Sequence, residues 1–357
     1  RVKPVLFVTN HVPPDRVGAF AALHRRAPLE LALFGGRSIH ATAGVADPGV
    51  PHRHVRQQDI RALAASGRYR AVVCGTAGRV ALPAAALGAR AGRIPFVLWT
   101  ALWAHPRTPA HLAGGAPLLA VLYRTAAAVV AYGPHVAGFA RARGARNVHV
   151  APQAVDNAFW GAAVDVGRTA PFTAVFLGRP SRAKGAVLLL DAWRESGLGA
   201  SAAALVLVGA GAGSARSPAG GAVAFTGPQP PVQVRNFLAA ADVCVIPSLR
   251  TRSFREPWGL VANEAMNQST PVIASEEVGA VAGGLVRHER NGLVVAAGDE
   301  GALAGALRRL HGDRDLRARL GANARRDVAA FTFDAWAAGF EGALVSVGAA
   351  PAGRSLR

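Results

Sequence analysis

The segment Glu256-Pro257-Trp258-Gly259-Leu260-Val261-Ala262-Asn263-Glu264 sets two carboxylates around a turn and the start of a helix. It follows VCVIPS (243–248), an apolar run that reads as a buried strand. In a strand–turn–helix of this kind, Gly259 and Leu260 fall in the first turn. Unpaired amides and the helix dipole there favour a diphosphate. Glu256, ahead of the helix, can accept hydrogen bonds from sugar hydroxyls, and Glu264, about a turn further in, from a ribose. An ordinary helix with an acidic flank would also explain two glutamates. The chain holds only nine, however, and two of them bracket this turn.

A second loop, Gly178-Arg179-Pro180-Ser181-Arg182-Ala183-Lys184-Gly185, links the run FTAVFLG to the helical pattern AVLLLDAWRES. Gly178 permits a sharp turn. Arg179 and Lys184 can both reach a pyrophosphate from this one loop. Lys184 is one of two lysines among 40 basic residues, so a compact ammonium is wanted at that position. Val208-Gly209-Ala210-Gly211 closes another strand, but Ser214 stands where a dinucleotide fingerprint needs its third glycine. Gly209 reads as a tight turn with at most a backbone contact to the nucleotide.

These loops need strands to hold them, and the chain supplies two series. In the first half the apolar runs are 5–10, 29–35, 71–76, 96–101, 128–133 and 147–152. In the second half they are 172–178, 204–211, 223–227, 243–248, 271–275 and 292–298. Helical patterns lie between most of them. Such alternation predicts α/β architecture: two tandem Rossmann-like doubly wound domains facing a cleft, with ligands at the carboxyl ends of the strands. The low-hydrophobicity stretch 161–171 suggests domains at 1–165 and 166–331. A last helix over 332–347 carries Phe333, Trp336, Phe340 and Leu344 on one face.

The formal net charge is +19, with +13 over residues 1–165 and +6 over the remainder. The Arg excess accompanies abundant Ala and Gly, so it reflects coding bias in part. The basic first half still favours an anionic partner, such as a membrane surface or a phosphorylated acceptor. Arg107, Arg124 and the cluster Leu118, Leu119, Leu122 suggest a docking segment over 107–126. The longest apolar stretch there is too short to span a bilayer, and no leader is visible, so a cytoplasmic protein is expected, in places peripheral to the membrane. Cys74 and Cys244 read as buried strand positions, one in each half, that do not bridge. Nucleic-acid binding rests on charge alone, without interleaved aromatics, and is not expected.

EPWGLVANEAM, followed by PVIAS, VGA, LV and NGLVV, resembles the C-terminal signature of retaining GT-B glycosyltransferases of family four, the glycosyl transferases group 1. GRPSRAKG resembles that family's diphosphate loop. The resemblance covers roughly residues 125–345 and is organisational over 1–124. It implies a hexosyltransferase that takes a nucleotide-diphosphate sugar as donor and a hydroxyl acceptor. It implies no cofactor and no metal, because fixed positive charge supports the departing phosphate. Arg179 and Lys184 would then hold the diphosphate, Glu256 the sugar and Glu264 the ribose. Gly178, Gly209, Trp258, Gly259 and Leu260 would line the donor site. The family's first loop carries a Gly-Gly pair; here it offers only Gly18 for a donor contact. The family often places a His near the reacting sugar. His105, just after the run FVLWTA, is the choice among His105, His111, His135 and His11. The last helix resembles the one that crosses back onto the first domain.

Two other readings stay open. Asp313-Arg314-Asp315 matches the metal-holding pattern of a different transferase fold, but its place between two late helices reads as an N-cap. A catalytically silent sugar-nucleotide-binding relative would share the fold, although all four charged donor residues are intact.

Overall fold

The structure, a computed structural model, describes residues 2–35, 47–167, 170–209 and 222–349. The chain forms two compact units: residues 1–156 together with 331–357, and residues 157–330.

The first unit runs β1 Val5–Thr9, α1 Val17–Arg26, β2 Leu29–Leu33, β3 His52–His54, α2 Ile60–Ala65, β4 Ala71–Gly75, α3 Ala81–Ala91, β5 Phe96–Thr100, α4 Ala116–Thr125, β6 Ala128–Ala131, α5 Pro134–Arg141 and β7 Val148–Val150. Its seven strands order as β3-β2-β1-β4-β5-β6-β7 and pair in parallel throughout. A parallel sheet covered on both faces needs strands apolar on both sides, which is why β1 and β4 read as unbroken apolar runs. Every β1 residue except Thr9 is 2% exposed or less. The one strand not anticipated is β3. His-Arg-His at a sheet edge has no hydrophobic signal, and the strand is held by pairing to β2 and by the Arg53–Glu30 ion pair.

The second unit runs α6 Asn157–Trp160, β8 Phe172–Leu177, α7 Ala186–Ser196, β9 Ala203–Val208, β10 Ala222–Gly227, α8 Pro231–Ala240, β11 Val243–Ile246, α9 Val261–Asn267, β12 Val272–Ser275, α10 Gly279–Ala282, β13 Gly292–Val295, α11 Glu300–Gly312 and α12 Arg314–Val328. Six parallel strands order as β10-β9-β8-β11-β12-β13. In both sheets the order reverses beside the first strand of its series, the place where doubly wound folds bind ligands. Asp313 accepts from the Leu316 amide at 2.8 Å and so caps α12, which gives the Asp-Arg-Asp triplet a structural role.

The final helix, α13 Phe333–Ser346, starts on a Thr332 cap and belongs to the first unit. Trp336, Phe340 and Leu344 are at most 1% exposed and enter the core that Phe7, Phe20 and Trp99 build over β1 and β5. Trp336 and Phe340 stack at 4.5 Å and Phe340 lies 5.5 Å from Phe7. Each such ring contributes roughly 1.5–3 kcal/mol through burial. Close approach depends on glycine: a Cβ at Gly339 would come within 2.3 Å of the Val150 carbonyl oxygen.

The docking segment expected over 107–126 needs correction. Leu119 and Leu122 are 4% and 5% exposed and lie in the core, with Leu118 packed partly against it. The apolar face of α4 is spent on the sheet, and only Leu112 and Val121 are large exposed apolar residues there. Among the described residues, no single helix is long and apolar enough to cross a membrane. Cys74 and Cys244 are fully buried and unbridged, and burial pushes both thiols up.

Candidate functional site

The residues that could bind a phosphorylated ligand gather where β8 and β11 end in the second unit. β8 delivers Gly178, whose amide donates to the Val208 carbonyl at 3.0 Å, and the chain turns into the exposed Arg179. It returns through a short turn, Arg182–Lys184, to Gly185 at φ +71°. A Cβ on Gly185 would lie 2.0 Å from the Pro247 carbonyl oxygen, so glycine is required there both by backbone conformation and by space. The Leu249 amide donates to the Ala183 carbonyl at 2.8 Å. Together these contacts fasten the Lys184 loop to the exit of β11.

From that exit the chain makes a small turn closed by Thr251 and Phe254 and reaches Glu256. Glu256 is 6% exposed. Its Oε2 accepts from Lys184 Nζ at 2.5 Å and from Ser248 Oγ at 3.1 Å. Ser248 is itself held, since Ser275 Oγ donates to its carbonyl at 2.5 Å. Lys184 Nζ also stands 5.7 Å from the Phe254 ring centre. A buried carboxylate thus meets an ammonium and a hydroxyl. Such a pair is held by geometry rather than by net stability, because the desolvation of both ions offsets their attraction.

The rest of the turn is locked from the other side. Gly279 N donates to the Glu256 carbonyl at 3.1 Å and Ala280 N to the Trp258 carbonyl at 2.7 Å. A Cβ at Gly279 would sit 2.0 Å from the Pro257 oxygen, and one at Gly283 would sit 2.4 Å from the Trp258 ring. Trp258 is 3% exposed, and its indole N–H donates to Asn263 Oδ1 at 2.8 Å. Trp258 therefore braces the turn from within. α9 begins at Val261, so Gly259 and Leu260 precede the helix rather than lying in its first turn; Gly259 takes φ +90°. Glu264 is half-buried in the first turn of α9, and its charge adds to the upward push on the Cys244 thiol.

Asn263→Leu removes the indole's acceptor together with a fully buried amide. It is expected to lower the unfolding free energy by about 1–3 kcal/mol. Urea unfolding checks this; an unchanged midpoint at unchanged slope would show that the bond contributes nothing.

The remaining sequence candidates fall elsewhere. Gly209, at φ +90°, donates to the Gly227 carbonyl at 2.8 Å, and a Cβ there would lie 2.8 Å from the Gly178 oxygen. It packs the exit of β9 against that of β8. Ala210, Gly211 and Ser214 lie outside the described residues. Gly18 lies in α1, where a Cβ would come within 2.4 Å of the Phe333 ring. Helix packing accounts for that glycine. Ser248, Phe254 and Asn263 were not anticipated. A polar residue just past or at the end of a buried strand, as Ser248 and Ser275 are, is a signal in the sequence that would have found the first of these.

His105 belongs to the first unit. Arg143 Nε donates to its Nε2 at 3.1 Å, and its Nδ1 lies 3.0 Å from His111 Nε2. With Nε2 accepting, the ring proton sits on Nδ1. Burial first, then the charges of Arg143 and His111, hold its pKa below the usual histidine range. The unfolded chain therefore binds the proton more readily. This stability is present above a pH of about 6.5 and is lost as pH falls through the lower folded value. His105→Gln should flatten that acid-side decline in a melting-temperature series. His149, also lowered by burial, keeps part of the slope.

Residues 171–313 match the family described as Glycosyl transferases group 1. The D-inositol 3-phosphate glycosyltransferase of Nocardia farcinica is 39% identical over 131 residues, 36% of this chain and 26% of that protein. The lipopolysaccharide core biosynthesis glycosyltransferase LpsD of Rhizobium meliloti is 40% identical over 100 residues, 28% of this chain and 26% of that protein. The chain thus spans about a quarter of the length of these curated relatives. Among solved structures, Anabaena HepE in complex with UDP superposes with a TM-score of 0.76 at 19% identity, covering 96% of this chain and all of that one. Sucrose-phosphate synthase from Thermosynechococcus elongatus gives 0.71 at 20%, covering 95% and 97%. These likenesses show that the two doubly wound units and the returning helix α13 form a GT-B fold. The match to the glycosyl transferases group 1 model spans residues 171–313, which hold the Lys184 loop and the Glu256 turn.

Proposed function

We propose that this protein is a retaining glycosyltransferase that moves a hexose-type sugar from a UDP- or GDP-linked donor to a hydroxyl acceptor. The observation that carries the reading is the Lys184–Glu256–Ser248 cluster, a buried carboxylate and an ammonium at the carboxyl ends of β8 and β11. In this reading Arg179 and Lys184 hold the diphosphate, Glu256 accepts from sugar hydroxyls, and Glu264 accepts from the ribose. The acceptor oxygen attacks the anomeric carbon on the face from which the diphosphate departs. The bond to the diphosphate breaks as the new carbon–oxygen bond forms, and the acceptor proton passes to a leaving-group oxygen. Negative charge grows on that group, so fixed cations close to it act where the transition state differs most from the ground state. No metal is required.

HepE, solved with UDP and with UDP-glucose, supports a UDP-linked donor. The named relatives support an acceptor that is a small metabolite or a cell-envelope glycan. The charge of the first half is the support that remains for an anionic membrane surface near the acceptor.

The test is incubation with UDP- and GDP-sugars in EDTA, followed by proton NMR of the product. The expected result is nucleoside diphosphate release with the anomeric configuration of the donor preserved. An inverted product, or turnover abolished by EDTA and restored by a divalent ion, would overturn the mechanism.

A further inference from the structure

The loop leaving β1 in the first unit holds a guanidinium whose charge the described residues do not fully answer. Arg16 is 8% exposed. Its Nη2 donates to Gln153 Oε1, and Gln153 is fully buried. Its Nε is 3.9 Å from Asp15 Oδ2, beyond hydrogen-bond distance, and the Asp15 side chain is 38% exposed. Its Nη1 is buried and has no hydrogen-bond partner among the described residues. On the same loop, His11 Nδ1 is buried without a partner as well. Burial holds the Tyr132 phenol above its usual range, and the nearby Arg16 charge opposes that push.

Arg16, Tyr132 and Gln153 follow β1, β6 and β7, all parallel, so they stand at the carboxyl edge of this sheet. Open α/β sheets bind their ligands at that edge. A guanidinium is costly to bury where the described residues offer it a neutral amide and a distant carboxylate. Its planar fork fits the two oxygens of a carboxylate or phosphate. Gln153 occupies one side of the fork and leaves Nη1 for a ligand.

Resting on the glycosyltransferase reading above, we infer that Arg16 anchors an oxyanion site in the first unit and that the acceptor carries a phosphate or carboxylate group. Gln153 is its positioning residue: it fixes the guanidinium without neutralising it.

The test uses the full chain saturated with UDP, which fills the donor site, and titrates inorganic phosphate and, separately, acetate by calorimetry. The wild type is expected to bind at least one of the two, and the preferred anion assigns the acceptor's group. Arg16→Gln should weaken that binding by about tenfold or more, as loss of a charge-assisted fork requires. Gln153→Glu gives Arg16 a permanent carboxylate and should weaken it similarly, in a protein that folds at least as well. UDP affinity should stay unchanged in both. Absence of anion binding in the wild type, or retention of it in both variants, would overturn the inference. So would a parallel loss of UDP affinity, which would assign Arg16 to the donor. Failure of UDP to bind the wild type would count against the donor reading instead, and the phosphate difference between wild type and Arg16→Gln would still decide the Arg16 site.

Discussion

Lys184→Ala is expected to weaken nucleoside diphosphate binding by about 10–150-fold, the equivalent of one charge-assisted hydrogen bond of roughly 1.5–3 kcal/mol. Binding of the bare nucleoside should barely change, because the ammonium has no diphosphate to meet. A second effect follows from the geometry. Lys184 is the cation on Glu256 Oε2, and the Glu256 side chain is 7% exposed. Its removal leaves a buried carboxylate with Ser248 as its hydrogen-bonded neighbour on that oxygen. Breaking a buried pair typically costs about 3–5 kcal/mol, and the lower end applies because the Lys184 side chain is 26% exposed. The two effects separate in the double variant Lys184→Met with Glu256→Gln. Stability should recover there, since a neutral amide replaces the carboxylate that lost its ammonium, while diphosphate affinity stays low. Urea unfolding and titration of UDP and uridine measure both. Equal losses for UDP and uridine would remove Lys184 from the diphosphate.

Glu256→Gln should act on rate. The substitution keeps shape and one acceptor oxygen, and removes the charge that orients Lys184 and strengthens bonds to sugar hydroxyls. A contact that tightens as the anomeric carbon gains positive charge contributes to turnover more than to binding. The expected loss is about 10–100-fold in kcat, from roughly 1.5–3 kcal/mol for a bond to a charged group. UDP affinity should change by less than about threefold. Glu264→Gln is the contrast: it should raise the donor KM with kcat nearly intact, because a ribose is held alike before and during the reaction. Exchanged effects would exchange the two roles.

Much of this arrangement was legible in the sequence, and the rest was hidden for physical reasons. The long apolar runs of β1, β4, β8 and β11 announced buried parallel strands, and each loop with chemistry follows one of them. β3 escaped because a short polar edge strand has no periodic signal. The Lys184–Glu256 contact joins residues 72 apart, and the Arg16–Gln153 contact joins residues 137 apart. Both depend on which strands lie side by side, and local pattern does not carry that. Leu119 and Leu122 show the complementary limit. Hydropathy marked them as apolar but not which way α4 would turn them, and the sheet took them in place of a lipid surface. Gly18 read as a donor contact, whereas the space beside it is taken by the Phe333 ring.

In the proposed function, the turn around Glu256 and the loop around Lys184 form one nucleotide-diphosphate site. Calorimetric titration of the wild type with UDP, GDP and uridine, in EDTA, tests it most directly. Binding of one diphosphate at least about tenfold tighter than uridine, with the difference abolished in Lys184→Ala, is the predicted result. Uridine binding as tightly as UDP, or a diphosphate preference that survives in Lys184→Ala, would contradict it.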